Sequence, residues 1–436
     1  QFALTGAFEN ERLIDIRNSN GSRVNNLIYN LRDDGDKLWL FAAHAYAQHP
    51  VVDNSRPETV TIGVKGEYLP KLYDTVNGEI RDVDYCIDNG MTYIKCTLYY
   101  HDSVMLGLEK RADIKKTEMK HALCKTERQL LGTIDFKKKV AYSLGEKNVL
   151  LLDRAEYALD GEAFAPEEEI LKLESICRAR LGLSTKPGNI VQPWMIKPEV
   201  PTHSVTLRFE INSEIEVRGC RLAIEDFETV EVSLNGESVA NAADGYYVDE
   251  CLGTLPLPNI KVGKNIITVK APIGKRTNLE WCYLLGGFNI RVEGCERTLT
   301  PPTDKIGFGS ITSQGLPYYG GTIRYKAEFD TPECELTVRV NAYRGGPIRV
   351  FIDGKDMGLV VSDPYRLELG RVYEGHHVIE FLTYLTRFNS FASMHNITGN
   401  DWTGPRHWFS EGDGWCYEYR LHEAGIIASP VIEMYK

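Results

Sequence analysis

The sequence predicts a mainly β protein, built as an array of antiparallel β-sandwiches with one helix near residues 166–181. Three observations predict this class. Short runs of alternating apolar and polar residues recur about every ten residues in the first part of the chain, with glycine and asparagine turns between them. A stripe of apolar residues at helical spacing is clear only once. Two segments beyond residue 203 repeat one strand–turn–strand template.

Residues 1–110 are expected to form a small antiparallel sandwich. The run around Val60, Ile62 and Val64 alternates with polar neighbours, as a half-buried strand requires. Asn-Gly pairs at 77–78 and 89–90 predict two-residue hairpin turns. Around Asn89-Gly90 the predicted register pairs Cys86 with Tyr93, and therefore not with Cys96.

The Asp33-Asp34-Gly35-Asp36 run predicts another hairpin turn. Its three carboxylates, Asp33, Asp34 and Asp36, also leave calcium binding open, although no EF-hand spacing continues the pattern. Turn chemistry alone explains aspartates beside a glycine. No metal site and no cofactor are predicted for the chain.

Residues 111–300 are expected to form a jelly-roll-like sandwich with an inserted helix. Pro166 would open this helix, because proline is tolerated at the first helical position. Acidic residues would follow at the positive end of the helix dipole, and Gly182 would supply the stop. The acidic residues are Glu167, Glu168 and Glu169, and the apolar stripe is Ile170, Leu173, Cys177 and Leu181.

Residues 301–436 are expected to form a second jelly-roll-like sandwich, because they repeat a template. In the first copy, strand 230–234 ends at Asn235-Gly236, and Gly263 starts another alternating strand. In the second copy, strand 348–352 ends at Asp353-Gly354, and Gly375 starts the matching strand. The second copy has His376-His377 where asparagine is usual, so a different turn is expected there.

This template resembles the galactose-binding-like sandwich of family 2 glycoside hydrolases and of α-L-rhamnosidase-like enzymes. The connecting pieces 280–288 and 316–325 resemble the same proteins. The run 72–80 resembles the small sandwich that follows a (β/α)8 barrel in large bacterial glycoside hydrolases. The resemblance implies that the catalytic acids lie in a barrel upstream of this chain, which would then hold no catalytic residue.

Composition excludes some functions. A net charge of −11 without clustered lysine and arginine argues against nucleic-acid binding. The sequence has no apolar run long enough to span a bilayer and no visible signal peptide. Ten cysteines without metal-like spacing suggest reduced thiols, and therefore a cytoplasmic location. Because the chain starts with Gln1 in apparent mid-domain, a processed or truncated product is expected.

The stretch from Phe388 to Ile426 is the strongest candidate for function. It contains Trp402, Trp408 and Trp415 among polar side chains and glycines, which suits the stacking of a sugar ring and hydrogen bonding to its hydroxyls. The same residues would serve equally well to fill the end of a sandwich. The sequence places this stretch after the last strands of the second repeat, as an extension that seals one end of that sandwich. The candidate carbohydrate contacts are Trp402, Trp408, Asn396, Arg406, His395 and Tyr318.

Glycoside hydrolysis needs two placed carboxyl groups. Asp401, Glu411 and Asp413 are the nearest candidates, but aspartate beside glycine is an ordinary turn pattern. The favoured hypothesis is a non-catalytic region of a glycoside hydrolase that binds carbohydrate and supports an active site of an upstream domain or partner chain. It predicts an extensive apolar or aromatic surface on residues 1–110 or on the proline-rich connection 185–202, left by the missing partner. The alternatives are a free-standing carbohydrate-binding protein and an autonomous glycosidase that uses loop carboxylates.

Overall fold

The computed structural model describes residues 11–45, 57–76, 78–99, 102–110, 128–184, 197–398 and 412–436. In these residues the protein is mainly β, and its antiparallel sheets pack in pairs around three hydrophobic cores. The predicted fold class is confirmed. Each core is named below by its sandwich: N-terminal, middle and C-terminal.

The N-terminal sandwich packs a four-stranded sheet on a five-stranded sheet. The first has the order β1-β4-β8-β7, with β1 (Ile14–Asn18), β4 (Glu58–Lys65), β7 (Tyr85–Asp88) and β8 (Met91–Leu98). The second has the order β2-β3-β9-β5-β6, with β2 (Leu27–Asp33), β3 (Lys37–His44), β5 (Leu69–Tyr73), β6 (Ile80–Asp82) and β9 (Ser103–Glu109). Alternate residues of these strands face the shared core, which explains the alternation in the sequence.

The predicted hairpin register around Asn89 is confirmed. Cys86 is the pairing partner of Tyr93, and Asn89 and Gly90 both have positive φ, as this turn requires. The Asp33 turn also forms, with Asp33 accepting a hydrogen bond from the Gly35 amide. The Lys110 ammonium lies 2.8 Å from the Asp33 carboxylate.

The middle sandwich pairs a five-stranded sheet with an eight-stranded sheet. The first has the order β12-β22-β16-β20-β19, with β12 (Asn148–Leu152), β16 (Arg221–Ile224), β19 (Tyr246–Tyr247), β20 (Asp249–Pro256) and β22 (Cys282–Gly286). The second has the order β14-β13-β15-β21-β17-β18, with β13 (Arg154–Leu159), β14 (Ala165–Glu169), β15 (His203–Ser213), β17 (Glu231–Leu234), β18 (Glu237–Val239) and β21 (Gly263–Ile273). The hairpin of β23 (Asn289–Glu293) and β24 (Glu296–Thr300) joins this sheet where β24 runs parallel to β15.

The C-terminal sandwich combines a four-stranded and a six-stranded sheet. The first has the order β10-β34-β27-β31, with β10 (Leu130–Asp135), β27 (Cys334–Arg339), β31 (Arg366–Val372) and β34 (Val431–Tyr435). The second has the order β25-β11-β26-β32-β29-β30, with β11 (Val140–Leu144), β25 (Lys305–Ile306), β26 (Thr322–Thr331), β29 (Ile348–Ile352), β30 (Lys355–Val360) and β32 (Gly375–Tyr384). A short ribbon pairs β28 (Tyr343–Arg344) with β33 (Gly425–Ile426).

The predicted boundaries 111–300 and 301–436 need correction. Strands β10 and β11 precede the middle sandwich in sequence, but they pair with β34 and β26 of the C-terminal sandwich. The C-terminal sandwich therefore begins before the middle one and closes after it. A boundary drawn from the sequence repeat misses this, because β10 and β11 lie outside the repeated template.

The repeat itself is present at the level of strand register. Ser213 pairs with Gly263 in the middle sandwich, and Thr331 pairs with Gly375 in the C-terminal one. The strand order is also the same, since β15-β21-β17-β18 corresponds to β26-β32-β29-β30.

The predicted helix starts later than expected. Residues 165–169 form β14, which pairs with β13, and helix α1 spans Ile170–Arg180. Glu169 is the N-cap, and its carboxylate accepts a hydrogen bond from the Lys172 amide at 3.0 Å. The acidic run therefore lies in the strand and at the cap, because pairing with β13 satisfies these backbone groups in extended form. Gly182 follows the helix with a φ of +64°.

Short helical segments complete the described elements. Helix α2 spans Phe388–Phe391, and 3₁₀ turns occur at Phe227–Thr229 and Ile311–Gln314. Among the described residues, no helix has the length and apolar character that a membrane span requires.

Candidate functional site

The stretch predicted to extend the second sandwich is described at 388–398 and 412–426, and within these ranges Phe391, Met394, Tyr419 and Leu421 pack on the middle sandwich. It leaves β32, crosses to the middle sandwich and returns as β33 and β34, so it is an excursion within the C-terminal sandwich. The ring of Phe391 lies 5.0 Å from that of Tyr283 and 6.1 Å from that of Tyr247, and Met394 is part of the middle core. The sequence repeat ends at β32, and β34 has no counterpart in it. The sequence therefore held no sign that the chain returns to the C-terminal sandwich after this stretch.

A buried ionic network fixes this excursion to the middle sandwich. Asp153, which joins β12 to β13, has a side chain with no solvent exposure. One of its oxygens, Oδ1, accepts hydrogen bonds from Tyr419 Oη at 2.7 Å and Arg297 Nη1 at 2.9 Å. The other, Oδ2, lies 2.8 Å from His395 Nε2. Three parts of the chain, which hold Asp153, Arg297, and His395 with Tyr419, therefore meet on one carboxylate.

The network explains the charge state of its members. Burial acts to raise the pKa of Asp153, but the hydrogen bond to His395 and the charge of Arg297 outweigh it and hold the pKa below its ordinary value. For Tyr419, burial is the main cause and raises the hydroxyl pKa well above the ordinary value. Asp153 is therefore an ionised acceptor and Tyr419 a neutral donor at neutral pH.

A polar cleft lies beside this network, where the middle and C-terminal sandwiches meet. Its volume is about 840 Å³, within the range of small-ligand sites. Glu418, Tyr419 and Leu421 of the excursion form one wall. We call this the junction cleft. Its polar lining groups are Lys139, Glu214, Asn289, Arg291, Thr300, Thr303, Lys305, Thr312, Ser313, Gln314, Glu418 and Tyr419.

Two features hold the shape of the junction cleft. Tyr419 lines it while its hydroxyl is held by the buried Asp153. Asn289 is 5% exposed and lies close to Gly315, where an added Cβ would come within 2.6 Å of the Asn289 amide group. Gly315 also has a φ of +93°, so a residue with a side chain is disfavoured there twice over.

The cleft offers hydrogen-bonding groups but no environment suited to a general acid. Its two carboxylates are Glu214 and Glu418, and both residues are exposed. Glu214 also forms an ion pair with Arg291 at 2.7 Å. A general acid for glycoside hydrolysis needs an environment that keeps it protonated, and burial is the usual means. The lining suits binding of a polyhydroxylated molecule.

The predicted carbohydrate contacts divide into two groups. Tyr318, His395 and Asn396 are 0%, 3% and 4% exposed, so a sugar could reach them only if this region opened. His395 belongs to the Asp153 network, and the Tyr318 ring lies 5.6 Å from that of Tyr419. Trp402, Arg406 and Trp408 lie outside the described residues, as do Asp401, Glu411 and the connection 185–196. Their predicted roles stay predictions. Asp413 is described, and it is exposed.

Sequence reasoning missed Asp153, Arg297 and Tyr419. The sequence held a signal for Asp153, because this residue directly follows the fully buried strand 148–152 and precedes Arg154. A charge that directly follows such an apolar run is typical of a buried, paired group. Arg297 and Tyr419 carry no comparable local signal.

The outer face of the five-stranded sheet in the N-terminal sandwich carries exposed apolar side chains. On the outer side of β2, β3 and β9, Ile28 is 58% exposed and Phe41 41% exposed. The rings of Trp39 and Tyr73 meet edge to face at 4.8 Å above Gly107, whose missing side chain makes room for Tyr73.

Among the described residues, no group of three or more metal-ligating side chains comes together.

Comparisons with known proteins gave structural likeness only. No family model matches the sequence, and no curated protein matches it. A rhamnosidase from Novosphingobium sp. PP1Y is 10% identical, with a TM-score of 0.43 over 99% of this chain and 26% of that one. An α-L-rhamnosidase from Streptomyces avermitilis, solved with L-rhamnose, is 11% identical, with a TM-score of 0.26 over 96% of this chain and 34% of that one. The chain thus spans about a quarter of the length of the first enzyme.

Proposed function

We propose that this chain is a non-catalytic, carbohydrate-binding β-sandwich region of a glycoside hydrolase. The observation that carries the proposal is the junction cleft, in which amide, hydroxyl and charged groups line a space of about 840 Å³. Sugar hydroxyls both donate and accept hydrogen bonds, so they need a lining that mixes both kinds of partner. The resemblance of the repeat to sugar-binding sandwiches supports the same ligand class.

The catalytic carboxylates would belong to an upstream domain or a partner chain. The exposure of Glu214 and Glu418 supports this division of labour, because neither is desolvated as a general acid would be. Ile28 and Phe41, which are exposed on the outer face of the N-terminal sandwich, are the side chains that we expect a covering partner to contact.

Glycan-array binding tests the proposal directly. Wild-type protein is expected to bind a subset of glycans, and Arg291→Gln or Lys305→Gln in the cleft is expected to weaken binding by about tenfold, because each removes a charge-assisted hydrogen bond. Arg218→Gln is the matched control. Arg218 forms a surface ion pair with Glu216 at 3.0 Å, much as Arg291 does with Glu214 at 2.7 Å, but it lies outside the cleft. Equal loss in the control, or no binding to any glycan, would count against the proposal.

Turnover assays separate this proposal from an autonomous glycosidase. Aryl glycosides incubated with the chain alone are expected to remain intact. Hydrolysis that disappears in Asp401→Asn or Glu411→Gln would instead establish catalysis by loop carboxylates. A free-standing binding protein would be indicated if the native protein has the mass of this chain alone and binds glycans without turnover.

A further inference from the structure

The two repeat copies carry matching side chains on the outer faces of their main sheets. Three outward positions of β15 hold a cation, a glutamate and an asparagine, and those of β26 hold a cation, a glutamate and an aspartate. These are Arg208, Glu210 and Asn212 in the first copy, and Lys326, Glu328 and Asp330 in the second. The match concerns exposed residues, so core packing does not require it.

Strand register shows that these positions are equivalent. Asn212 pairs with Lys264, and Asp330 pairs with His376. Each of these pairs is the direct neighbour, along the two strands, of the equivalent pairs Ser213–Gly263 and Thr331–Gly375. In each copy the basic residue approaches the nearby glutamate: Lys264 Nζ lies 2.5 Å from Glu210 Oε2, and His376 Nε2 lies 3.8 Å from Glu328 Oε2.

The copies differ in how far this face is enclosed. In the middle sandwich, residues of β14 and of the β23–β24 hairpin line a pocket of about 180 Å³ together with this face, and the side chains of Glu210 and Lys264 are 49% and 58% exposed. The Arg208 guanidinium carbon lies 3.5 Å from the centre of the Phe164 ring, which fixes one side. In the C-terminal sandwich the face is open, with the side chains of Glu328 and Asp330 64% and 85% exposed.

We propose that each jelly-roll-like unit carries one saccharide-binding subsite on this face, enclosed in the middle sandwich and open in the C-terminal one. Of the charged groups that line the first pocket, Arg297 pairs with Asp153 and Glu167 with Arg154, both outside the lining, which leaves three carboxylates against two cations. The charges therefore nearly cancel. Such a lining favours a neutral polyhydroxylated ligand over phosphate or a polycation, because hydroxyls satisfy both acceptors and donors. The ligand class rests on the proposed function, but the two subsites are separate from the junction cleft.

Enclosure sets the order of affinity. The pocket buries more of a bound ring and excludes more water, so its hydrogen bonds contribute more than those of the open face. Two subsites on one chain would also make binding to a glycan long enough to reach both tighter than binding to one sugar ring.

Hydrogen-exchange mass spectrometry of the full chain tests this inference. The probes are the methyl glycosides of L-rhamnose, D-galactose, D-glucose and D-xylose. At least one is expected to slow exchange in peptides from β15 and β21, and at higher concentration in peptides from β26 and β32. Arg208→Ala is expected to raise the probe concentration needed for protection of β15 and β21 by about tenfold and to leave β26 and β32 unchanged. Lys326→Ala is expected to do the reverse.

Lys270→Ala is the matched control, because Lys270 lies on the same strand as Lys264 but pairs with Glu231 outside the pocket. Protection confined to peptides around residues 415–421 would overturn the two subsites and leave the junction cleft as a binding site. Binding that neither Arg208→Ala nor Lys326→Ala changes would also overturn them. No protection anywhere, with any of the four probes, would remove the proposed function as well.

Discussion

At the scale of single residues, the repeat shows one chemical substitution within a preserved geometry. In the middle sandwich, Asn235 Nδ2 donates to Asn265 Oδ1 at 2.9 Å. In the C-terminal sandwich the equivalent contact joins His377 Nδ1 to Asp353 Oδ2 at 2.7 Å. Both turns keep a residue at positive φ, at Asn235 and at Asp353. At the turn that begins the matching strand, Gly263 has a φ of +92° and Gly375 a φ of +149°, so the two backbones differ there while an Asp–His contact replaces the Asn–Asn contact.

This substitution predicts a pH dependence of stability. The hydrogen bond to Asp353, and then the one to the Tyr373 carbonyl, raise the pKa of His377 above its ordinary value. The resulting stabilisation is fully present below the unfolded-state pKa of about 6.5 and is lost as the pH rises through the raised folded-state pKa. Chemical denaturation from about pH 6 to about pH 9 should therefore show declining stability. The double variant Asp353→Asn/His377→Asn, which copies the middle sandwich, should flatten this decline, and an unchanged slope would refute the assignment.

Asp153 carries the largest expected single-residue effect. Asp153→Asn should lower the free energy of unfolding by about 3–5 kcal/mol, because it leaves Arg297 buried without its counter-ion. Asp160→Asn is the control, since Asp160 is 40% exposed and pairs with the exposed His203. It should cost less than about 1 kcal/mol. Urea denaturation measures both, and equal costs would show that the Asp153 network contributes little.

At the scale of elements, helix α1 illustrates what local sequence predicts well and where it fails. The apolar spacing of Ile170, Leu173 and Cys177 identifies the helix, and all three are fully buried. Its start is misplaced, because the preceding acidic residues suit both a first helical turn and an edge strand. Pairing with β13 decides between them, and that pairing is not encoded locally.

The helix cap gives a test at this scale. Glu169 accepts from the Lys172 amide at 3.0 Å and from Trp281 Nε1 at 2.7 Å. Glu169→Ala should destabilise by about 2–4 kcal/mol, since it removes the cap and leaves the buried indole without an acceptor. Glu169→Gln keeps one of the two acceptor oxygens, because its amide nitrogen cannot accept, and should cost about 1–2 kcal/mol, less than Glu169→Ala. Thermal unfolding followed by tryptophan fluorescence measures both, and equal losses would argue that the carboxylate charge, rather than the hydrogen bonds, matters.

At the scale of the whole molecule, the middle and C-terminal sandwiches are interleaved. The chain forms β10 and β11 of the C-terminal sandwich and then the whole sheet framework of the middle one. It next forms β25 to β32 of the C-terminal sandwich, crosses to the middle sandwich in the excursion, and ends in the C-terminal sandwich as β34. Residues of the C-terminal excursion thus cover part of the middle core, and the Asp153 network holds them there.

This threading predicts which fragments fold. A fragment of residues 128–436 should give one cooperative unfolding transition in calorimetry. A fragment of residues 148–300 should bind a hydrophobic dye and lack near-ultraviolet circular dichroism, because it exposes the surface that Phe391 and Met394 cover. A cooperative transition of the shorter fragment would show that the middle sandwich is autonomous.

By itself the sequence determined the fold class, the hairpin register around Asn89, the presence of helix α1 and the duplicated unit. These features depend on residues close together, whose periodicity and turn chemistry act over a few positions. Only the tertiary structure decided that β10 and β11 belong to the last sandwich, that Phe391 and Met394 cover the middle one, and that Asp153 meets Arg297, His395 and Tyr419. Each of these features depends on an unpaired strand edge or a buried charge whose partner lies far away in the sequence. A local pattern shows that a partner is needed but does not identify it.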